Sequence, residues 1–181
     1  MKKRLVNLNI FVLTIVGLFL TVRPLMAQGS LLGNPAKLFT VTSLDGKTIS
    51  LDSLKGKVVV LNFWATRCPP CRAEIPELIQ FYRDFEKKGV IIIGLGVRNS
   101  DLVGLNDRNA TLLEFSKANR INYPIVNDLE NRVARFYGIR WIPTTFVIDR
   151  NGIIRDTRVG GIDKQELLKM VGPYLSEITK E

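Results

Sequence analysis

From residue 38 onward, short dense apolar runs alternate with polar breaks that contain glycine, asparagine or aspartate. Leu38 to Thr42 and Lys47 to Leu51 read as two short strands around an Asp45-Gly46 turn. Lys57 to Trp64 (KVVVLNFW) is almost continuously apolar, the pattern of a central strand covered on both faces. A helix is expected from Pro69, with Ile75, Leu78, Ile79, Tyr82 and Phe85 along one face and Gly89 as its stop. Val90 to Val97 (VIIIGLGV) is a second buried strand.

The next stretch, 98–110, is rich in Asn and Asp and reads as a loop. Thr111 and Glu114 form a capping box for a helix that ends near Asn119. Pro124 to Val126 is a short extended piece. Asp128 then caps a helix carrying Val133, Phe136 and Tyr137, closed by Gly138. Thr144 to Ile148 and Ile153 to Val159 are strands joined through Asn151-Gly152, a strong hairpin signal. Asp163 and Glu166 cap a last helix with Leu167, Leu168 and Val171, which Pro173 kinks or ends. Strands joined by a helical crossover pair in parallel, whereas the late hairpin is antiparallel. The expected class is therefore α/β: a central mixed β-sheet flanked by helices on both faces.

Residues 1–27 do not belong to that body. Lys2, Lys3 and Arg4 precede an apolar run from Ile10 to Leu20, and Leu25-Met26-Ala27 offers an imperfect cleavage site. The run is short against the ~20 residues of a membrane span. Both a cleaved signal peptide and an uncleaved N-terminal membrane anchor remain open. Either one exports the body, to a bacterial periplasm or the outer face of the cytoplasmic membrane, and membrane contact would come only through residues 1–27 if they stay attached. Residues 28–35 read as a linker and 36–181 as a single domain.

Composition then removes chemistries. The chain has 181 residues, two cysteines and no histidine, which excludes a Ser-His-Asp triad, a Cys-His dyad and imidazole-ligated metals. Two cysteines cannot complete a four-thiolate metal site. Four of the nine surplus positive charges lie in residues 1–27, leaving a mildly basic body of about +5. There is no block of five Lys or Arg and no basic helix interleaved with aromatics, so nucleic acid is not an expected partner.

Both cysteines lie in Cys68-Pro69-Pro70-Cys71, four residues after the buried strand and at the start of a helix. A helix N-terminus carries partial positive charge and free N–H groups that stabilise a thiolate. Pro69 suits the first turn, where no N–H is needed. The spacing lets the two sulfurs meet in a disulfide. Cys68 is expected to be exposed and acidic and Cys71 more buried, with Arg67 and Arg72 favouring the thiolate further. A purely structural disulfide is the plain alternative, although so short a loop gains little from cross-linking. Haem attachment would need His at residue 72, which is Arg. A dithiol–disulfide redox centre accounts for the motif best, and it needs no cofactor and no metal.

Val59 to Pro76 (VVLNFWATRCPPCRAEIP) resembles the active-site strand and helix of the thioredoxin superfamily, in particular its TlpA/ResA-like exported thiol–disulfide oxidoreductases. Gly138 to Asp149 (GIRWIPTTFVID) resembles the second signature of that family, the cis-proline loop. The likeness spans residues 36–178 and implies a thioredoxin-like fold. It implies that Cys68 attacks, that Cys71 resolves, that Pro143 is cis beside the disulfide, and that Glu74 is a proton acceptor for Cys71. Substrate contact is expected from Trp64, Arg67, Trp141 and Ile142. Asn62 departs from the buried Asp of thioredoxins, and Arg67 from the Trp that usually precedes the first Cys. The resemblance further implies reduction of disulfides in exported proteins, such as apocytochrome c, with electrons from a thiol-transporting membrane protein. Rival readings are a thiol oxidase or isomerase, a non-catalytic binding module using the 98–110 loop, and a peroxiredoxin-like peroxidase, which would need Thr where Ala65 stands.

Overall fold

The structure, a computed structural model, describes residues 31–97, 109–128 and 130–175. The leader 1–27 and most of the 98–110 loop lie outside these residues.

A five-stranded mixed sheet runs in the order β5-β4-β3-β6-β7. It is built from β3 (Val58–Trp64), β4 (Val90–Val97), β5 (Ile125–Asp128), β6 (Thr144–Ile148) and β7 (Ile154–Val159). β3, β4 and β5 are mutually parallel, and β6 and β7 continue the sheet antiparallel. As the apolar run predicts, every residue of β3 is buried. Its side chains alternate between two cores: Val58, Val60 and Trp64 enter one, and Val59, Leu61 and Phe63 enter the other.

The first core is closed by α1 (Pro69–Phe85), α4 (Lys164–Val171) and Leu112 of α2 (Asn109–Ala118). The second is closed by α3 (Arg132–Phe136) and by the hairpin β1 (Thr40–Thr42) and β2 (Thr48–Ser50). That hairpin is a separate two-stranded sheet, tied to β5 by a single bridge from Ser43 to Val126. On β4, Gly94 and Gly96 make room for the first core. A Cβ at these positions would lie 2.6 Å from Ile125 Cδ1 and 2.7 Å from Leu112 Cδ1.

Several expectations change in detail. α2 opens at Asn109, so Thr111 sits inside the helix rather than at its cap. Phe136 and Leu168, expected in the core, are exposed. The five-residue α3 buries only Val133 and Ala134, and α4 turns Leu167, Met170 and Val171 inward, a stripe Leu168 falls beside. On α1, Phe81 joins Ile75, Leu78 and Tyr82 as fully buried, while Ile79 and Phe85 lie at its margin. The end of the expected linker is held in place: Gly33 N–H donates to Ile154 O (2.8 Å), Ile154 N–H donates to Asn34 O (3.0 Å), and Pro35 bridges Ile153. This covers part of the open edge of β7.

Carboxylates fix the turns, one exposed (Asp163) and two buried (Asp149 and Asp128). Asp163 caps α4, accepting from Glu166 N–H at 2.7 Å. Asp149 accepts from the Asn151 and Ile153 N–H groups (both 2.9 Å) and from Arg155 Nε (2.6 Å) across the Asn151-Gly152 turn. Burial pushes this carboxyl up, but the donors outweigh it and hold it below its ordinary range. Asp128 reaches past the N-cap of α3, accepting from Val133 N–H (3.2 Å) and Ala134 N–H (2.8 Å). Asp128→Ala leaves both amides without their acceptor and should lower unfolding stability by about 2 kcal/mol in urea titrations. An unchanged midpoint would show that this carboxylate does not hold α3.

Candidate active site

β3 delivers the chain to the sheet end at Trp64, and five residues later, at Pro69, α1 begins. Cys68 is the N-cap of α1, with extended dihedrals (φ −84°, ψ 110°), and Pro69 occupies its first turn. The sequence dictates this break: two prolines can start a helix but cannot continue one. Cys68 and Cys71 form a disulfide with their Cα atoms 5.2 Å apart. The Cys71 N–H donates to Cys68 Sγ at 3.4 Å. One sulfur thus receives both a directed amide hydrogen and the positive end of a 17-residue helix.

Burial departs from expectation. Cys71 is fully buried as predicted, but Cys68 is only 3% exposed. The cause is the loop before β6. The Ile142–Pro143 peptide is cis, as the motif implies, and carries the Ile142 carbonyl oxygen to 3.8 Å from Cys68 Sγ. In the disulfide that sulfur has no proton to donate, whereas a thiol there could donate to the carbonyl. The loop is pinned by Thr144 Oγ1–H donating to Trp141 O (2.6 Å) and by Gly160 N–H donating to Pro143 O (2.8 Å).

Glu74 lies three residues beyond Cys71, on the same face of α1, and is 3% exposed. Its Oε1 accepts from Asn62 Nδ2 at 2.8 Å and its Oε2 from Ile162 N–H at 3.2 Å. Asn62 also donates to Thr145 Oγ1 at 3.1 Å. Burial pushes the Glu74 carboxyl up to about 7, against the pull of these two donors. The carboxyl is therefore divided between acid and anion near neutrality, the condition a proton acceptor needs. Tyr123 is nearby; its burial and the Glu74 charge push its phenol up, so it stays protonated.

The expected partner-contacting residues divide. Trp141 is 69% exposed, Arg67 is exposed and Ile142 half-buried, all around the disulfide. Trp64 is corrected: it is 1% exposed, with its ring 5.6 Å from that of Phe115, and presents no surface to a substrate. As an even-numbered residue of β3 it points into the α1 core together with Val58 and Val60. Phe115 in turn carries Arg72, whose guanidinium lies 5.7 Å from the ring centroid. Asn62 stands at the position noted for the buried Asp of thioredoxins, but its bond to Glu74 and the part of Thr145 were not expected. The available signal was a polar residue in an apolar strand, at the same parity as Trp64. Among the described residues no group of acidic or cysteine side chains could hold a metal ion.

A redox pair opening the helix after the first central strand, with a cis-proline loop laid over it, defines the thioredoxin-like class. The family model described as the AhpC/TSA family matches residues 32–157. The thiol-disulfide oxidoreductase ResA of Bacillus thuringiensis (strain Al Hakam) is 36% identical over 148 residues, covering 82% of this chain and 79% of that one. A crystal structure of a thioredoxin-family thiol:disulfide interchange protein from Chlorobium tepidum TLS matches with a TM-score of 0.69 at 33% identity, over 82% of this chain and 100% of that one. A secreted Mycobacterium tuberculosis disulfide oxidoreductase matches with a TM-score of 0.64 at 25% identity, over 75% and 95% respectively. The chain belongs to the AhpC/TSA family and is a thioredoxin-like, ResA-like thiol–disulfide oxidoreductase.

The raised Glu74 carboxyl has a consequence for stability. Its folded value, about 7, exceeds the ordinary 4.5, so the folded state binds the extra proton between these values. Stability from this group is full below pH 4.5 and is lost as pH rises to about 7, a fall of about 3 kcal/mol in the oxidised protein. Glu74→Gln should remove that slope, so that urea unfolding of the variant and the wild type diverges progressively between pH 4.5 and 7. Parallel profiles would show that Glu74 is not held in its neutral form.

Proposed function

We propose that the protein works as a reductant of disulfides in exported proteins, with apocytochrome c as the expected client. The observation that carries the reading is a Cys68 sulfur fed by the Cys71 amide, with a Glu74 carboxyl poised near neutrality one turn further on. The Cys68 thiolate attacks a partner disulfide, forming a bond from Cys68 Sγ to one partner sulfur. The other partner sulfur leaves as a thiolate and takes a proton from water. Cys71 then gives its proton to Glu74 and attacks Cys68 Sγ, expelling the second partner thiolate. The second partner thiolate also takes a proton from water and Glu74 returns its proton to solvent, so the net change moves two electrons to the partner and the chain keeps the Cys68–Cys71 disulfide. Glu74 is suited to the proton step because each of its oxygens, engaged once by Asn62 or Ile162, retains a further lone pair.

Direction follows from what lies between the cysteines. Pro69 and Pro70 add no charge, and no His is present to stabilise the thiolate to the extent that makes a strong oxidant. Export is supported by the basic-apolar leader and by the secreted relative. No helix of the described residues is long and apolar enough to cross a membrane. In an oxidising compartment the spent disulfide would be recharged by a thiol-transporting membrane protein. Trp141, Ile142 and Arg67 receive the client beside Pro143.

Two measurements test the reading. Equilibration with glutathione should place the reduction potential well below the ~ −120 mV of the oxidant DsbA, and a value near that figure would make the protein an oxidase. Cys71→Ser should hold a peptide bearing a Cys-x-x-Cys-His disulfide as a stable mixed disulfide on Cys68, seen by mass spectrometry. Absence of the adduct with reduced, folded protein would count against the client.

A further inference from the structure

Among the described residues, the segments around the redox centre carry a surplus of positive charge. Three segments meet there. The first turn of α1 and the residues before it (65–73) touch the cis-proline loop (138–143) through the 3.8 Å approach of Cys68 Sγ to Ile142 O. That loop touches the end of β7 and the residues after it (159–162) through Gly160 N–H to Pro143 O at 2.8 Å. The circle closes at Gly161, where a Cβ would lie 3.6 Å from Pro70 O. These segments carry Arg67, Arg72 and Arg140, all exposed, and not one acidic residue. Arg72 stacks on Phe115, while Arg67 and Arg140 form no ion pair with any described residue. Arg158 at the margin is already paired, with Glu166 at 3.2 Å. Of the two acids that directly follow these segments, Glu74 is buried beneath the disulfide and Asp163 is exposed with its carboxylate turned to the Glu166 N–H as the cap of α4.

Within this ring stands an apolar surface. Trp141 is 69% exposed on a loop whose backbone is pinned, Val159 is 59% exposed, and Pro69 and Pro70 are open. An exposed aromatic on a pinned loop, on segments that also carry exposed arginines, is the make-up of an interaction hot spot. Guanidinium forks match carboxylates in geometry as well as charge. We propose that this face selects disulfides flanked by acidic residues: client segments with Asp or Glu close to the attacked cysteine and an apolar side chain that lies on Trp141. The inference rests on the reductase reading and adds the substrate class to it. The field acts mainly on encounter, so the preference shows in the association rate and is suppressed by salt.

The test uses prereduced full-length protein and three peptide disulfides of identical core, flanked by two Asp, two Ser or two Lys. Each is mixed under single-turnover conditions, and 2-hydroxyethyl disulfide serves as a small neutral reference. At about 0.01 M salt, where the Debye length is about 30 Å, the Asp peptide should oxidise the protein at least about tenfold faster than the Lys peptide. At about 1 M salt, where the Debye length is about 3 Å, the ratio should fall below about two. Arg67→Glu with Arg140→Glu should reverse the order, each rate being divided by that variant's own rate with 2-hydroxyethyl disulfide. Equal Asp and Lys rates with an active reference, or a variant that keeps the wild-type order, overturn the acidic preference and leave the reductase standing. Failure to reduce even 2-hydroxyethyl disulfide overturns the reductase reading and this inference with it.

Discussion

One amide hydrogen connects the fold to its chemistry: the N–H of Cys71, directed at Cys68 Sγ. It can point there only because α1 begins at residue 69, and α1 begins there because β3 ends at Trp64 and two prolines follow the first cysteine. The strand in turn is anchored by burial of all seven of its residues, split between the two cores. Apolar packing on both faces of the sheet thereby sets the position of a single donor to within hydrogen-bond distance of a sulfur. That precision comes from rigid elements rather than from the loop, which supplies only the covering carbonyl of Ile142.

The second constraint is electrostatic. A carboxyl beneath the disulfide is costly to ionise, and the structure accommodates it with donors that do not titrate. Asn62 in β3 is the key member, since an amide supplies a hydrogen bond to Glu74 without adding a second ionisable group. With one carboxyl, not a coupled pair, the site holds a single proton equilibrium near neutrality. The Ile162 amide is the other donor to Glu74, and Thr145 in β6 accepts from Asn62 and so orients it. Charge outside is arranged differently: the acid is buried, whereas Arg67, Arg72 and Arg140 are exposed on the segments around the disulfide.

Much of this was legible in the sequence because it rests on local signals. The Val-rich run of β3, the glycine and asparagine turns, the Asp163 cap and the Cys-Pro-Pro-Cys spacing each act within a few residues. The cis peptide before Pro143 was legible only through resemblance, since local energetics favour trans. Long-range placement was harder. The near-complete burial of Cys68 depends on a loop 74 residues away, and the Glu74–Asn62–Thr145 contact, bridged by Asn62, spans a helix and two strands. Trp64 shows the same limit: an aromatic beside a redox motif reads as substrate surface until the parity of β3 turns it inward. Phe136 and Leu168 misled for the opposite reason, because short helices bury fewer positions than an apolar count implies.

In the reduced protein the start of α1 should hold the Cys68 sulfur as an anion. The most direct measurement is the pH dependence of iodoacetamide alkylation at Cys68 in reduced Cys71→Ser protein, read by mass spectrometry. The account predicts a midpoint at least about one unit below the ~8.5 of an ordinary thiol. A midpoint at or above about 8.5 would show that neither the helix nor the arginines beside it stabilise the thiolate, and the site would not be built for disulfide exchange.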